Sequence, residues 1–155
     1  MLTKRRLRFL DHSPLLISGA VINPSAVVKD LGVLIFNDLS MTSHVNLLAS
    51  QYFYQLRRIK NCCGALPRDA VKTLVNSFVT SRVDSCNCLL AGTPALTTNK
   101  LQRVLNAAAK VIYGGRNLDH VTLLLRDKLH CLKIPERITY KLCLLTYKAL
   151  HELAP

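Results

Sequence analysis

The sequence predicts a mainly α-helical fold of the α+β class, in which a small N-terminal β piece precedes a bundle of five or six helices. Two observations predict it. Short runs rich in Val, Ile and Leu, broken by Gly19, Pro24 and Gly32, come first. Apolar residues then recur at spacings of three and four to the end of the chain. With 155 residues, half of them hydrophobic, the chain is long enough for one core.

The first 40 residues divide into a basic arm and a strand region. Four basic residues lie within positions 4–8, and few other structural signals surround them, so residues 1–14 are predicted to form a basic N-terminal arm. In residues 15–40 the segments LLISG, AVINP and VVKDLGVLIF predict two or three short strands joined by tight turns. Strands this short need a sheet to join.

Residues 41–155 are predicted to be helical. The first helix covers SHVNLLASQYFYQLRRIKNCC, with Ser43 as its N-cap and basic residues in its last turns, where the helix dipole favours them. Pro67 suits the first position of a second helix, which continues to Gly92. The apolar stripe of the first helix is Val45, Leu48, Ala49, Tyr52, Leu56 and Ile59, and that of the second is Val71, Leu74, Val75, Phe78, Val79, Val83, Cys86, Leu89 and Leu90.

A third helix is predicted to open at Thr98 or Asn99 and to end at Gly114. The short Gly-Thr-Pro turn before it implies that the second and third helices pack antiparallel. Its apolar stripe is Leu101, Val104, Leu105, Ala108 and Ile112.

Two further helices complete the predicted bundle: a short one over residues 120–130 and a final one that starts at Pro135. The final helix is expected to place Ile138, Leu142, Leu145 and Ala149 inward and Arg137, Lys141 and Lys148 outward.

Charge and cysteine content bound the function. Twenty-one Lys and Arg against nine Asp and Glu give a formal charge of +12, which favours a polyanionic partner such as nucleic acid, although a solvated basic surface would need none. Six cysteines without a secretory leader predict reduced thiols in an intracellular protein, nuclear or cytoplasmic and not secreted. No segment is apolar enough to predict a membrane span.

The usual catalytic and metal-binding patterns are missing from the sequence. There is no adjacent pair of carboxylates, no paired Cys-x-x-Cys spacing, no phosphate loop and no dinucleotide glycine fingerprint. We therefore predict no catalytic residue, no metal site and no cofactor. Asp84 is expected to form a fold-fixing ion pair with Arg82 or Arg103. Asn87 and Asn106 are expected to bond backbone groups of neighbouring helices.

Several separated motifs resemble one family. SRVDSCNCLLAGTP followed by LQRVLNAAAKVI, then DHVTLL, LHCLKIPERITYKL and YKAL before HELAP, are similar in type and order to the region that follows the polymerase active site in the reverse transcriptases of non-LTR retrotransposons, the jockey-like and related elements. The segment KDLGV resembles the family's last palm strands. The resemblance covers roughly residues 15–155. Phe36, Ser85 and Cys131 stand where the family usually has Asp, Tyr and Trp.

The resemblance implies the end of a palm-like domain over residues 15–40 and a thumb-like connection region over residues 41–155. It implies a noncatalytic fragment, because the family's catalytic aspartates lie in the portion of the palm that, like the fingers, is missing from this sequence. In the intact enzyme this region would hold the RNA or DNA template-primer through phosphate contacts. The candidate contacts are Lys29, Arg57, Arg58, Lys60, Lys100, Arg103 and Lys110.

Two alternatives come from other functional classes. The chain could be a helical protein-interaction module or an inactive transposon relic whose charge serves no nucleic acid. It could instead be a noncatalytic N-terminal segment of an AlkB-like nucleic-acid-modifying protein, a dioxygenase or methyltransferase, although the His-x-Asp iron motif of such a dioxygenase is absent from the sequence.

Overall fold

The computed structural model describes residues 13–114, 121, 125, 129 and 131–153, in two compact units that meet in sequence between His44 and Val45. Two small antiparallel strand pairs come first, and most of the described residues after them are helical. The predicted fold class is therefore confirmed. The predicted arm over residues 1–14 and the predicted helix over residues 120–130 lie largely outside the described residues.

The first unit contains two β-hairpins. Strands β1 (Leu15–Ile17) and β2 (Ala20–Ile22) form one antiparallel pair, and β3 (Val27–Asp30) and β4 (Val33–Phe36) form the other. Each pair is closed by a two-residue turn whose residues both have positive φ, at Ser18–Gly19 and at Leu31–Gly32. Such turns match the right-handed twist of the strands. The strands β1 to β3 are exposed along their whole length.

The helix α1 (Thr42–Cys62) carries the stripe that its periodicity predicts. Five of the six predicted positions are buried, and Leu48 is half-buried. A short 3₁₀ turn (Cys63–Ala65) ends the helix.

The second predicted helix ends earlier than expected. Helix α2 (Arg68–Val75) continues through a π-helical turn (Asn76–Thr80) into α3 (Ser81–Asp84), where the helix stops. Ser85 is extended, Cys86 has a φ of 55°, and a 3₁₀ turn (Asn87–Leu90) follows. Neither glycine nor proline marks this break in the sequence. Gly92, with a φ of 74°, has the left-handed conformation that was expected of it.

Helix α4 (Ala95–Tyr113) begins three residues before the predicted cap. Thr98 is buried inside the helix, where its hydroxyl donates to the carbonyl of Ala95 at 3.1 Å, so it does not cap the N-terminus. All five residues of the predicted stripe are buried. The Arg68 guanidinium lies 5.4 Å from the centroid of the Tyr113 ring, which brings the start of α2 to the end of α4. This is the contact that the predicted antiparallel packing of the two helices would place at this end.

The last helix, α5 (Ile134–Leu150), differs most from its prediction. Its first turns are anchored, since Ile134 and Ile138 are buried and the backbone N–H of Ile134 donates to Gln102 Oε1 of α4 at 2.9 Å. The predicted inward residues Leu142, Leu145 and Ala149 are exposed. Arg137 and Lys141, predicted to lie outside, are half-buried, whereas Lys148 is exposed as expected. Only the anchored turns use the apolar stripe.

Candidate nucleic-acid interface

A cleft between α1 and α4 collects three of the seven predicted contact residues. Its volume is about 470 Å³. From α1, the spacing of Phe53, Leu56, Arg57 and Lys60 puts them on one face. The other side is lined by Ala107, Lys110 and Val111 of α4 and by Gly114, which follows that helix. Cys63 also lines the cleft, and none of the lining residues that the structure describes is a carboxylate. We call this site the basic cleft. The three cations that face it are Arg57, Lys60 and Lys110.

Two contacts show how the helices frame the basic cleft. Lys100 Nζ donates to Asn46 Oδ1 near the start of both helices, and Cys63 Sγ lies 4.0 Å from the carbonyl oxygen of Val111 near the end of both. The helices α1 and α4 therefore run in the same direction, and their C-terminal ends flank the cleft together. The Cys63 thiol also donates a hydrogen bond to the carbonyl oxygen of Ile59, with the sulfur 3.2 Å from that oxygen.

The two helix C-termini at this end of the cleft can explain part of its positive charge without a bound ligand. Helix C-termini carry partial negative charge, which stabilises nearby cations by about 0.3–1 kcal/mol each at exposed sites. Lys60 and Lys110 lie in the last turns of their helices. The dipoles thus favour these two cations, yet they do not account for Arg57, which lies in the cleft before the last turn of α1.

The other predicted contacts are distributed around this site. Arg103 is exposed and lies one helical turn before Ala107, on the side of α4 that faces the basic cleft. Arg58 points elsewhere, since its guanidinium lies 5.9 Å from the centroid of the Tyr54 ring. Lys100 is engaged with Asn46. Lys29 is exposed in β3 of the first unit.

The sequence did not single out Phe53 as part of the site. Its half-buried ring supplies an apolar wall beside the cations of α1. A signal was present, because Phe53 precedes Arg57 by four residues and Lys60 by seven, but the phenylalanine was not one of the residues in the predicted core stripe. The half-buried Val111 was missed in the same way.

A second polar site, at the start of α5, corrects the predicted partner of Asp84. Arg137 Nη1 donates to Asp84 Oδ2 at 2.5 Å, in place of the expected Arg82 or Arg103. Arg137 Nε also donates to the carbonyl of Leu132 at 2.8 Å. Asn87 is 6% exposed, and its Oδ1 has no hydrogen-bond partner among the residues that the structure describes, so the expected bond to a backbone group is not formed by this oxygen there. Asn106 Oδ1 instead accepts from the side chain of Gln102 at 3.0 Å.

The described ranges contain neither a cluster of metal ligands nor a membrane-spanning helix. No group of three His, Cys, Asp or Glu side chains there could hold a metal ion. All six cysteines are free. No helix in that part of the chain has both the length and the apolar character needed to cross a membrane.

No family model, no curated protein and no solved structure matches this chain. The assignment of a function therefore rests on the geometry of the chain's own residues.

Proposed function

We propose that this chain is a noncatalytic, thumb-like region of a non-LTR retrotransposon reverse transcriptase, and that its basic cleft binds the phosphate backbone of a template-primer. The observation that carries the proposal is the convergence of Arg57, Lys60 and Lys110 on one cleft. The formal charge of +12 would attract the same polyanion over a longer range.

The role of each residue follows from its position. Arg57 presents a planar fork of donors that can bind two phosphate oxygens, whereas Lys60 and Lys110 act as point charges. Arg57 and Lys60 are exposed, and neither makes an ion pair within the portion of the chain that the structure describes. Arg103 extends the positive surface along α4. Contacts of this kind confer affinity with little sequence preference.

The exposed hairpins fit the same proposal. Strands β1 and β2 expose Leu16 by 73% and Val21 by 62%, although isolated two-stranded hairpins with apolar surface are marginally stable in water. In the intact polymerase these strands would join the sheet of the palm, the domain that carries the catalytic aspartates. Under this proposal the chain has no catalytic activity of its own and acts in the nucleus or cytoplasm.

Single-residue variants test the proposal. Binding of the full chain to a fluorescein-labelled RNA-DNA hybrid is measured by fluorescence anisotropy at low salt, for Arg57→Ala and Lys60→Ala. Each loss of a charged donor is expected to weaken binding by roughly three- to tenfold. Lys60→Arg is expected to retain most of the affinity, because it keeps the charge.

Lys148→Ala provides a control with the same change in charge at an exposed position of α5 that does not line the basic cleft. Its affinity is expected to stay close to that of the wild type. Equal weakening in Lys148→Ala and Lys60→Ala would show that net charge alone drives binding, and the cleft would lose its assigned role.

A second candidate function, a protein-interaction module, is favoured by one specific observation. Helix α5 exposes Leu142 by 39% and Leu145 by 45%, although both were predicted to face inward, and it also exposes Tyr140 and Tyr147. This candidate predicts partner binding that does not weaken with salt, whereas phosphate binding weakens steeply.

A further inference from the structure

A second cleft lies on the other side of α1 and is not used by the proposed function. Its volume is about 520 Å³, which is in the usual range for ligand sites. The buried stripe of α1 separates the two clefts, since Leu56 borders the basic cleft and Tyr52 borders the second one. We call the second site the aromatic cleft. The lining residues that matter below are Ser50, Gln51, Tyr54, Gln55, Phe78 and Arg82.

One wall of the aromatic cleft is a face of α1. Gln51, Tyr54 and Gln55 are spaced by three and four residues, which makes them neighbours on the helix surface. The Tyr54 side chain is 58% exposed. Arg58 follows one turn later, and its guanidinium lies 5.9 Å from the centroid of the Tyr54 ring, a cation–π contact. This wall therefore presents an accessible ring that a cation helps to orient.

The opposite wall comes from the π-helical turn and from α3. Four buried valines, each four residues after the last, run through this segment: Val71, Val75, Val79 and Val83. In a regular helix with about 3.6 residues per turn, such a series would drift away from the buried face. The π-helical turn takes in an extra residue and so corrects the drift. Phe78 and Arg82 directly precede two of these valines, and both consequently line the cleft.

Positive charge lies in the aromatic cleft and at its edge. Arg82 is exposed and belongs to the lining. Burial raises the pKa of the Tyr52 hydroxyl, and the charge of Arg82 opposes that rise, so the guanidinium lies close enough to act across the cleft on α1. Arg58 adds a second cation beside Tyr54. These charges favour a ligand that is itself negative.

The combination of rings and cations selects the class of ligand. Phe78 is 46% exposed, so each wall of the cleft offers a ring. An acidic peptide would engage the guanidinium groups but leave both rings in water. Every unit of a nucleic-acid strand, by contrast, joins a planar base to a charged phosphate, and unpaired bases stack on aromatic side chains. Bases within a duplex are stacked on one another, so the strand that fits is unpaired.

We propose that the aromatic cleft binds an unpaired nucleic-acid strand, whose bases stack on Tyr54 and Phe78 and whose phosphates contact Arg82. The amides of Gln51 and Gln55 supply hydrogen-bond donors and acceptors along the same wall. The inference goes beyond the proposed function, which needs only the backbone of a duplex in the basic cleft. Each site can bind its ligand without the other.

Fluorescence anisotropy with the full chain at low salt tests the proposal. The probes are labelled oligothymidylate and oligouridylate of about ten nucleotides, each measured beside an abasic strand of the same sugar and length. The abasic strands carry the same phosphates but no bases. For the preferred sugar, the strand with bases is expected to bind about tenfold more tightly than its abasic counterpart, because stacking requires a base.

The same measurement identifies the kind of strand. Tighter binding of oligouridylate would identify RNA, and tighter binding of oligothymidylate would identify DNA. Equal binding would indicate a site that does not read the sugar. All three results support the proposal, provided that the abasic strands bind more weakly.

Variants on the two walls locate the binding. Tyr54→Leu and Phe78→Leu are each expected to weaken binding of the strand with bases by roughly three- to tenfold and to leave the abasic strand unchanged. Tyr54→Phe keeps the ring and is expected to keep the affinity. Tyr140→Leu, at a similarly exposed position of α5 outside the cleft, is the matched control and is expected to change nothing. Far-ultraviolet circular dichroism verifies the fold of each variant.

Charge is tested separately from stacking. Arg82→Ala is expected to weaken the strand with bases and the abasic strand alike, by roughly three- to tenfold, because it removes a phosphate contact. Lys148→Ala makes the same change in charge outside the cleft and is expected to have little effect on either.

Three outcomes would overturn the proposal. They are equal binding of the strands with and without bases, unchanged affinity in folded Tyr54→Leu and Phe78→Leu, and loss of single-strand binding in Lys60→Ala but not in Tyr54→Leu, which would place the strand in the basic cleft. Absence of binding by every single strand would overturn it as well. Binding of the RNA-DNA hybrid is measured in parallel and reports on the basic cleft, so a failure of this inference is distinguishable from a failure of the proposed function.

Discussion

His44 links the stability of the first unit to pH. Its side chain is buried, and burial lowers the pKa of the imidazole from its usual 6.5. Its Nδ1 accepts the backbone N–H of Leu34 at 3.2 Å, a bond that a protonated Nδ1 could not accept. The unfolded chain therefore takes up this proton at higher pH than the folded chain does. The contribution to stability is fully present above about pH 6.5 and is lost as the pH falls through the lower pKa of the folded state.

Urea denaturation between about pH 5 and pH 7.5 checks this expectation. The free energy of unfolding of the wild type is expected to fall toward the acidic end. His44→Gln is expected to flatten that dependence, because Gln does not titrate. His151→Gln, at an exposed position, is expected to keep it. If the free energy of unfolding of His44→Gln fell with decreasing pH as steeply as that of the wild type, another titrating group would be responsible.

The turn residue Leu31 is strained. It has a φ of 45° and is 88% exposed, so it adopts the left-handed conformation without burial to compensate. That conformation costs an L-residue about 1–2 kcal/mol, and Asn is favoured before Gly in this type of turn. Leu31→Asn is therefore expected to raise the free energy of unfolding by about 1 kcal/mol in urea denaturation. Leu16→Asn, in an exposed strand position, serves as the control and is expected to give no gain.

The residues of the basic cleft were predictable in part. Three of the seven predicted contacts line one cleft. They recur at helical spacing, as the core residues do, but on the neighbouring face of each helix. The sequence could not separate Arg57 from Arg58, since only packing shows that Arg58 lies over Tyr54. The partner of Asp84 was missed because Arg137 is 53 residues away. Pairings between residues so distant in sequence do not follow from helical periodicity.

At the level of elements, helix α4 is the main support of the second unit. Leu101 is 1% exposed on its buried stripe, and Leu96 is 77% exposed in the first turn of the same helix. Leu101→Ala is expected to lower the free energy of unfolding by about 2–5 kcal/mol, because it leaves a cavity. Leu96→Ala is the matched control, with a change within about 0.5 kcal/mol. Equal losses in urea denaturation would contradict the packing that the structure assigns to α4.

Helix cores were easier to predict than helix ends. The stripes of α1 and α4 were correct because periodicity reports the buried face directly. The start of α4 was wrong because a threonine hydroxyl can donate to a carbonyl inside a helix as well as cap its end. The buried stripe of α5 was predicted to run to Ala149, but it ends after Ile138. Periodicity cannot show where the neighbouring element that covers a stripe ends.

For the whole molecule, the hydropathy pattern and the turn residues were sufficient for the fold class. The strand-rich start and the helical remainder were both expected from composition and turn residues. The sequence predicted a division between residues 40 and 41, whereas the two units meet between His44 and Val45, within α1. The link to reverse transcriptases remains a proposal that rests on motifs and on the basic cleft.

The salt dependence of binding tests the central claim most directly. Affinity for a labelled RNA-DNA hybrid is measured by fluorescence anisotropy from low to physiological salt. The proteins compared are the wild type, a double variant with Arg57→Ala and Lys60→Ala, and a double variant with Lys72→Ala and Lys148→Ala. Both double variants lose two positive charges, but only the first removes cations that line the basic cleft. We predict a linear log-log plot whose slope falls by about 0.9 per lost phosphate contact, hence by nearly two in the cleft variant alone. Identical slopes in all three proteins, or affinity independent of salt, would contradict the proposal that the basic cleft binds phosphates.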